Sequence, residues 1–427
     1  MLSPLKLKDR LFYGWVVVVA FFVVGITLYG IHFSFGVFFK SIEGEFNLTR
    51  AATSAVLSTN VLLAGVCAFI AGWALDRYGP RIVILLMGLF TGFSLLLTSQ
   101  TNSLWQLFIT YGLLLSMGTG PLFVVPMSTV SRWFDRKRGL ALGITGLGVG
   151  LGTVIMAPFA TYLISKLDWR MAYFVIGIIA WLIVIPLSRL LRKDPYEIGA
   201  IPDGIKADSV DRRLQKSKNE KYSLQPAGLS LLQVFKTRSF WLVMFTWLFL
   251  ASCIFLVFTH LVPHATDIGF SAGEAATVLS LIGGAAIAGR VLMGIASDRI
   301  GRKLTAIICA LLQSGAMVWL IWAQDLWMLY LFALVYGFAF SGFSISMAAL
   351  IGDTFGVRKI GSILGVLEIG FGVGAAIGSA VGGLIFDVTN SYFMAFLLGA
   401  VVLLIAALLI ALIRQETNRN FECEQSQ

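Results

Sequence analysis

Three stretches of this chain hold residues whose types and spacing could do chemistry. The first is Arg290 within LSLIGGAAIAGRVLM (279–293), where the nearest other charges are Glu274 and Asp298. A guanidinium cannot shed its proton, and at mid-membrane it costs about 2.5–3.5 kcal/mol even on lenient insertion scales. Such a group faces a cavity or a partner, and its planar fork of donors suits a carboxylate. The second is Glu368, in another apolar run. It is placed about 12 Å from its helix end at 1.5 Å per residue, a depth similar to that of Arg290. An Arg290–Glu368 ion pair in the empty protein is therefore the structural alternative to ligand binding. The third is THLVPHATDIGFS (259–271), with His260 and Asp267 as proton-coupling candidates beside Glu368. Histidine titrates near neutrality, while capping or gate hydrogen bonds are the competing role. His264 reads as a solvated loop residue, and His32 is a weaker candidate. No set of ligands converges on a metal site.

The elements that position these groups follow from composition. Of 427 residues, 58% are hydrophobic and 13% charged, against about 25% charged in a soluble protein. Apolar runs longer than the roughly 18 residues needed to cross a bilayer recur along the chain. This is the composition of an all-α polytopic membrane protein. The net charge of +10 reflects Lys and Arg gathered on one side of the spans, as the positive-inside rule describes. It does not call for a nucleic-acid partner. Cys67, Cys253 and Cys309 lie in apolar spans and Cys423 in the tail, so no disulfide framework is expected. Lys6, Lys8 and Arg10 before an apolar run superficially resemble a signal peptide, but the run is long and lacks a small-residue cleavage site. It reads as a retained first helix. No phosphate loop, nucleophile–base pair or cofactor motif stands out, so neither an enzyme, a cofactor nor an ATP-driven pump is expected. No obligate protein partner is inferred.

Twelve spans are predicted, near 11–38, 51–75, 82–99, 103–131, 139–165, 170–191, 239–262, 272–297, 304–323, 327–354, 360–385 and 390–413. Residues 1–191 form an N-terminal six-helix half and 239–414 a C-terminal one, joined by a basic cytoplasmic linker (192–238). A tail (415–427) follows. Leu229–Phe235 in the linker is a candidate surface helix. Both termini are expected in the cytoplasm and the protein in the cell membrane.

The two halves repeat at a constant offset of 222 residues. GWALDRYGPR (72–81) recurs as GIASDRIGRK (294–303), and Arg136-Lys137 as Arg358-Lys359. The same offset superposes Gly139, Gly143, Gly148, Gly150 and Gly152 on Gly361, Gly365, Gly370, Gly372 and Gly374. Arg290 falls opposite Ala68 and so has no counterpart. Features shared by the halves read as scaffold and gate; those in one half are better candidates for ligand chemistry. Parallel six-helix repeats about an axis normal to the membrane describe major facilitator transporters.

The DRYG and DRIG loops resemble the signature loop of that superfamily. Asp76, Arg77, Asp298 and Arg299 are accordingly expected to hold a cytoplasmic gate in one state. SRWFDRKRGLALGITGLGVGLG (131–152) resembles the helix 4–5 signature of monocarboxylate transporters and their oxalate/formate relatives, through Trp133, Phe134, Lys137, Arg138, Ala141, Gly143 and Gly148. FYGW (12–15) and VFFKSIEGEF (37–46) resemble the same family's first helix. The resemblance implies that Arg290 is the carboxylate's partner. It further implies a lining from Leu28, Thr119, Thr145, Tyr336, Phe340 and Phe371. Where oxalate-type relatives place a lysine this chain has Phe371, and where animal carriers place one it has Phe33. One fixed positive charge matches one negative charge. The resemblance therefore implies proton-coupled symport of a short monocarboxylate of the lactate or pyruvate type by alternating access. A carboxylate exchanger and a non-transporting carboxylate sensor are the alternatives. Ala286 stands where the animal carriers have an aspartate, so the proton must ride elsewhere.

Overall fold

The computed structural model describes residues 12–134, 137–198, 234–355 and 360–413. These are almost wholly helical, as they must be where no water can satisfy backbone polar groups. The helices are α1 (Tyr13–Phe46), α2 (Arg50–Tyr78), α3 (Pro80–Thr98), α4 (Leu104–Trp133), α5 (Arg138–Lys166) and α6 (Trp169–Ser188). They continue as α7 (Arg238–Asp267), α8 (Ala272–Ile300), α9 (Arg302–Ile321), α10 (Leu326–Phe355), α11 (Ile360–Thr389) and α12 (Phe393–Leu412). The apolar stretch 50–98 is far too long for one crossing. It divides at Gly79, whose φ of 78° ends α2 immediately before Pro80 opens α3. Glycine reaches that φ without a Cβ penalty, and proline suits the first helical position. With that division the described residues hold twelve helices of membrane-crossing length. The anticipated surface helix and tail lie outside the described residues, except for helical Val234 and Phe235.

The 222-residue repeat is written into the backbone. Every positive φ among the described residues belongs to a pair at that offset: Asn47 with Gly269, Gly79 with Gly301, and Asp168 with Asn390. The N-caps of α2 and α8 pair likewise, Thr49 accepting from the Ala52 N–H and Ser271 from that of Glu274. Packing follows suit. α1 lies on α5 as α7 lies on α11, α2 on α4 as α8 on α10, and α3 on α6 as α9 on α12. The two six-helix sets meet along two equivalent seams, α5 against α8 and α2 against α11.

Glycines build these contacts in register. Gly148 and Gly152 press on the α1 backbone at Phe22 and Ile26, and their partners Gly370 and Gly374 press on α7 at Met244 and Leu248. Gly150, two residues along and so on another face, meets Gly283 of α8, and Gly372 meets Val61 of α2. A Cβ at Gly150 would lie 2.6 Å from the Gly283 carbonyl oxygen, and one at Gly372 would lie 2.8 Å from that of Val61. With no hydrophobic drive between helices in lipid, such close backbone approach is a main source of association.

Candidate functional site

Arg290 sits in the α5–α8 seam. Its guanidinium donates from one terminal nitrogen to the Gly146 carbonyl at 2.5 Å and from Nε to Ser341 Oγ at 3.3 Å. Guanidinium carries five N–H donors, and these two bonds leave most of them for a ligand. The alternative ion pair with Glu368 is not formed. Among the described residues Arg290 forms no ion pair with a carboxylate, and α5 supplies a carbonyl instead.

A narrow cavity of about 40 Å³ opens at the guanidinium, lined by Gly25 and Tyr29 of α1, Thr145 and Val149 of α5, and Phe123 and Met127 of α4. A smaller void on its other flank is lined by Phe340, Ser341 and Ala286. The structure thus brings Thr145 and Phe340 to Arg290. The other expected lining residues sit apart from these two voids. Leu28 is fully buried in helix packing. Thr119 bonds back to the Leu115 carbonyl of its own helix. Tyr336 stacks on Phe332, and Phe371 packs against Trp247 and Phe255. The residue missed was Tyr29. Phe21, Gly25 and Tyr29 recur every four residues and therefore share one face of α1, and all three line the cavity. That stripe was present in the sequence, one position from Leu28.

Glu368 occupies the other seam at the matching level. The repeat superposes it on Gly146, the residue that accepts from Arg290, and superposes Arg290 on Ala68 of α2. Glu368 lies beside Trp247 of α7, and the main chain of Gly65 comes against its carbonyl. Tyr29 lies within electrostatic reach of both Arg290 and Glu368.

His260 and Asp267 lie elsewhere, at the end of the molecule opposite the termini. There Arg50 of α2 reaches across the α2–α11 seam. It donates to Asp267 Oδ2 at 2.6 Å and to the Tyr392 hydroxyl at 2.7 Å, with its guanidinium carbon 3.6 Å from the Phe386 ring centroid. Lys40 of α1 bonds the other Asp267 oxygen at 2.6 Å, and Glu43 accepts from Arg50 Nε at 3.3 Å. Asp387 of α11 caps α2 by accepting the backbone N–H groups of Arg50 and Ala51 at 2.9 and 2.8 Å. His260 is wholly buried, with Nδ1 3.2 Å from the Tyr392 hydroxyl and Nε2 2.8 Å from the Ser379 carbonyl. Because a carbonyl only accepts, Nε2 carries a proton here. His264 is not a solvated loop residue: it lies within α7, its ring edge-on to Tyr392 and Phe396. The cluster clamps this end of the two six-helix sets together.

Towards the terminal end two glycines of the seams have no such close contact among the described residues. Gly143 lies seven residues from Gly150 and Gly365 seven from Gly372, so each shares the seam-facing side of its helix. A Cβ at either would meet nothing within 4 Å. Asp76 of the first signature loop bonds Arg132 of α4 at 2.6 Å, and its carbonyl accepts from Lys193. It therefore stays within its own set of six. Arg77 lies over the Trp73 and Tyr78 rings. Arg299 is exposed, and the Asp298 side chain is outside the description.

Comparison with known proteins agrees with this architecture. The family model described as Major Facilitator Superfamily matches residues 17–295 and 261–422. Monocarboxylate transporter 12 of Xenopus laevis is 25% identical over 417 residues, covering 94% of this chain and 88% of that protein. Monocarboxylate transporter 13 of Bos taurus is 25% identical over 395 residues, covering 92% and 87%. Among solved structures, a D-xylose–proton symporter superposes with a TM-score of 0.74 at 16% identity, covering 95% of this chain and 99% of that one. A bacterial homologue of the lysosomal transporter Spinster, in an inward-facing, unoccupied conformation, superposes at 0.69 with 14% identity, covering 95% and 96%. At these identities the solved structures speak for the fold.

Proposed function

The chain belongs to the major facilitator superfamily, and from that premise we propose that it moves a short monocarboxylate together with a proton by alternating access. The names of its sequence relatives support the substrate class. The observation that carries the reading is Arg290: a cation within the membrane, at a cavity, bonded to a carbonyl and a hydroxyl rather than to a carboxylate. An intramembrane charge held this way is a binding site by default, and a single one matches a single carboxylate of the lactate or pyruvate type. Thr145, Tyr29 and Phe340 line the anion's surroundings. The proton is assigned to Glu368, a carboxylate at the same level in the other seam, with Tyr29 between the two. Asp267 and His260 serve the clamp, since their polar atoms are engaged there.

In this reading residues 1–191 and 239–414 rock against each other about the linker. The terminal face, rich in Lys and Arg, is cytoplasmic in the cell membrane, and the clamp at the opposite end supports reading the structure as an inward-facing state. Reconstituted in liposomes, the protein is expected to take up labelled lactate faster under an inward proton gradient, and Arg290→Ala is expected to abolish uptake. Uptake indifferent to the gradient would remove the proton. Flux that appears only when counter-substrate is loaded on the other side would make the protein an exchanger, and saturable binding without flux would make it a sensor.

A further inference from the structure

We infer that Trp247 sets the upper length of the acid by plugging the space that mirrors the cavity. The inference deepens the transport reading above and rests on it for the identity of the substrate.

The cavity beside Arg290 lies off the pseudo-symmetry axis, among α1, α4 and α5, although the fold provides a second, equivalent space among α7, α10 and α11. Three exchanges at the 222-residue offset explain the difference. Gly25 of α1 becomes Trp247 of α7, Val149 of α5 becomes Phe371 of α11, and Gly146 becomes Glu368. All three first-named residues line the cavity. The three replacements are larger and stand together: the Trp247 and Phe371 rings are 6.0 Å apart, and Trp247 lies beside Glu368. Trp247 is only 5% exposed, and Leu367, which replaces cavity-lining Thr145, is fully buried. At Gly25, by contrast, a Cβ would meet Gly148 and Tyr29 at ordinary contact distance, 3.7 Å or beyond, and the glycine lines the cavity. Trp247, the largest of the three, thus fills most of the volume that Gly25 leaves in the other half. Trp247 stands at the place that mirrors cavity-lining Gly25, and in this proposal the tail of an acid anchored at Arg290 extends towards it.

The test uses full-length protein in liposomes and straight-chain monocarboxylates of two to six carbons. Trp247→Gly and Trp247→Ala are expected to raise kcat/KM for the five- and six-carbon acids at least tenfold relative to the three-carbon acid. Trp247→Phe should fall between them and the parent. Gly25→Leu should do the reverse and lower the four-carbon acid tenfold relative to the two-carbon one. An unchanged chain-length profile in a Trp247 variant that still transports would overturn the inference. A second measurement does not depend on the substrate. In a background lacking the native cysteines, Leu367→Cys should react with a small methanethiosulfonate at least tenfold faster when Trp247 is Ala, while Thr145→Cys reacts with Trp247 present. Equal Leu367→Cys reactivity in both backgrounds would also overturn it. Faster labelling in a protein that moves no monocarboxylate would uphold the plug and sink the substrate instead.

Discussion

The two seams are built alike and charged oppositely. Along α5–α8 the N-terminal half contributes Gly146 and the C-terminal half Arg290; along α2–α11 the corresponding residues are Ala68 and Glu368. Both charges thus come from one half, each in the level of its seam where the other half supplies a residue too small to obstruct it. The seams differ again at the end opposite the termini. Arg50, Asp267 and Asp387 clamp α2–α11, whereas α5–α8 is joined there by the Ser280 hydroxyl on the Val154 carbonyl at 3.4 Å. The comparison teaches that a duplicated scaffold supplies two equivalent slots, and function arises from filling them differently. One seam holds the proposed anchor of the anion. The other holds the proposed proton site and the clamp.

The largest effect that sharpens this contrast is expected at Arg290. Arg290→Ala should reduce uptake by more than 100-fold. Arg290→Lys should recover part of it, since the charge returns without the bidentate fork. Adding Ala68→Arg to Arg290→Ala places the cation in the mirrored slot and should not restore uptake, because the cavity lies on the other side. Recovery would show the seams to be interchangeable.

Next comes Glu368→Gln. If the proton belongs to the second seam, accumulation driven by a proton gradient should fall about tenfold or more while exchange of labelled for unlabelled substrate stays within about twofold. Equal loss of both would return Glu368 to a structural role. A smaller effect is expected from Asp267→Asn, which keeps a polar group but removes the charge between Lys40 and Arg50. Charge-assisted hydrogen bonds contribute about 1.5–3 kcal/mol, so the population open to the outside should rise by about tenfold. The rate at which a membrane-impermeant thiol reagent modifies Ser58→Cys from that side would report it. The same charge removal at Glu274, which only caps α8, should leave that rate unchanged.

Much of the scaffold was legible from sequence, because its determinants are local or repeated. The spans follow from apolar runs, and their pairing follows from glycines that hold one offset over long distances. Arg290 was legible because an unpaired charge in an apolar helix admits few explanations. Its partners were not. Whether it meets Glu368 or the Gly146 carbonyl depends on how separate helices pack against one another, and no single-helix pattern encodes that. Leu28 was taken in place of Tyr29 for a related reason: one residue rotates a side chain by roughly 100° about the helix axis. The clamp was half visible. Its acidic and histidine members stand together in 259–271, but Arg50 belongs to a distant helix and reads in sequence as the start of a span.

The smallest predicted effect bears most directly on how the seams move. Gly150 and Gly143 lie on one face of α5, yet the first is packed against α8 and the second faces open space. Gly150→Ala puts a methyl against the Gly283 carbonyl, which must shift, and transport should fall severalfold. Gly143→Ala creates no such contact in this state, and alanine favours the helix by roughly 0.5–1 kcal/mol over glycine. If the terminal face closes during transport, however, Gly143 and its counterpart Gly365 must approach α8 and α2 as Gly150 and Gly372 do now. A methyl at either would then weigh against the closed state and shift the resting population about twofold towards the terminal side. The two variants should act alike, because rocking a symmetric pair of six-helix sets closes both seams at once. Labelling of Thr145→Cys from the terminal side measures the shift. A response to Gly143→Ala but not to Gly365→Ala would mean that the seams close one at a time, with the anchor's seam moving and the clamp's seam acting as the hinge.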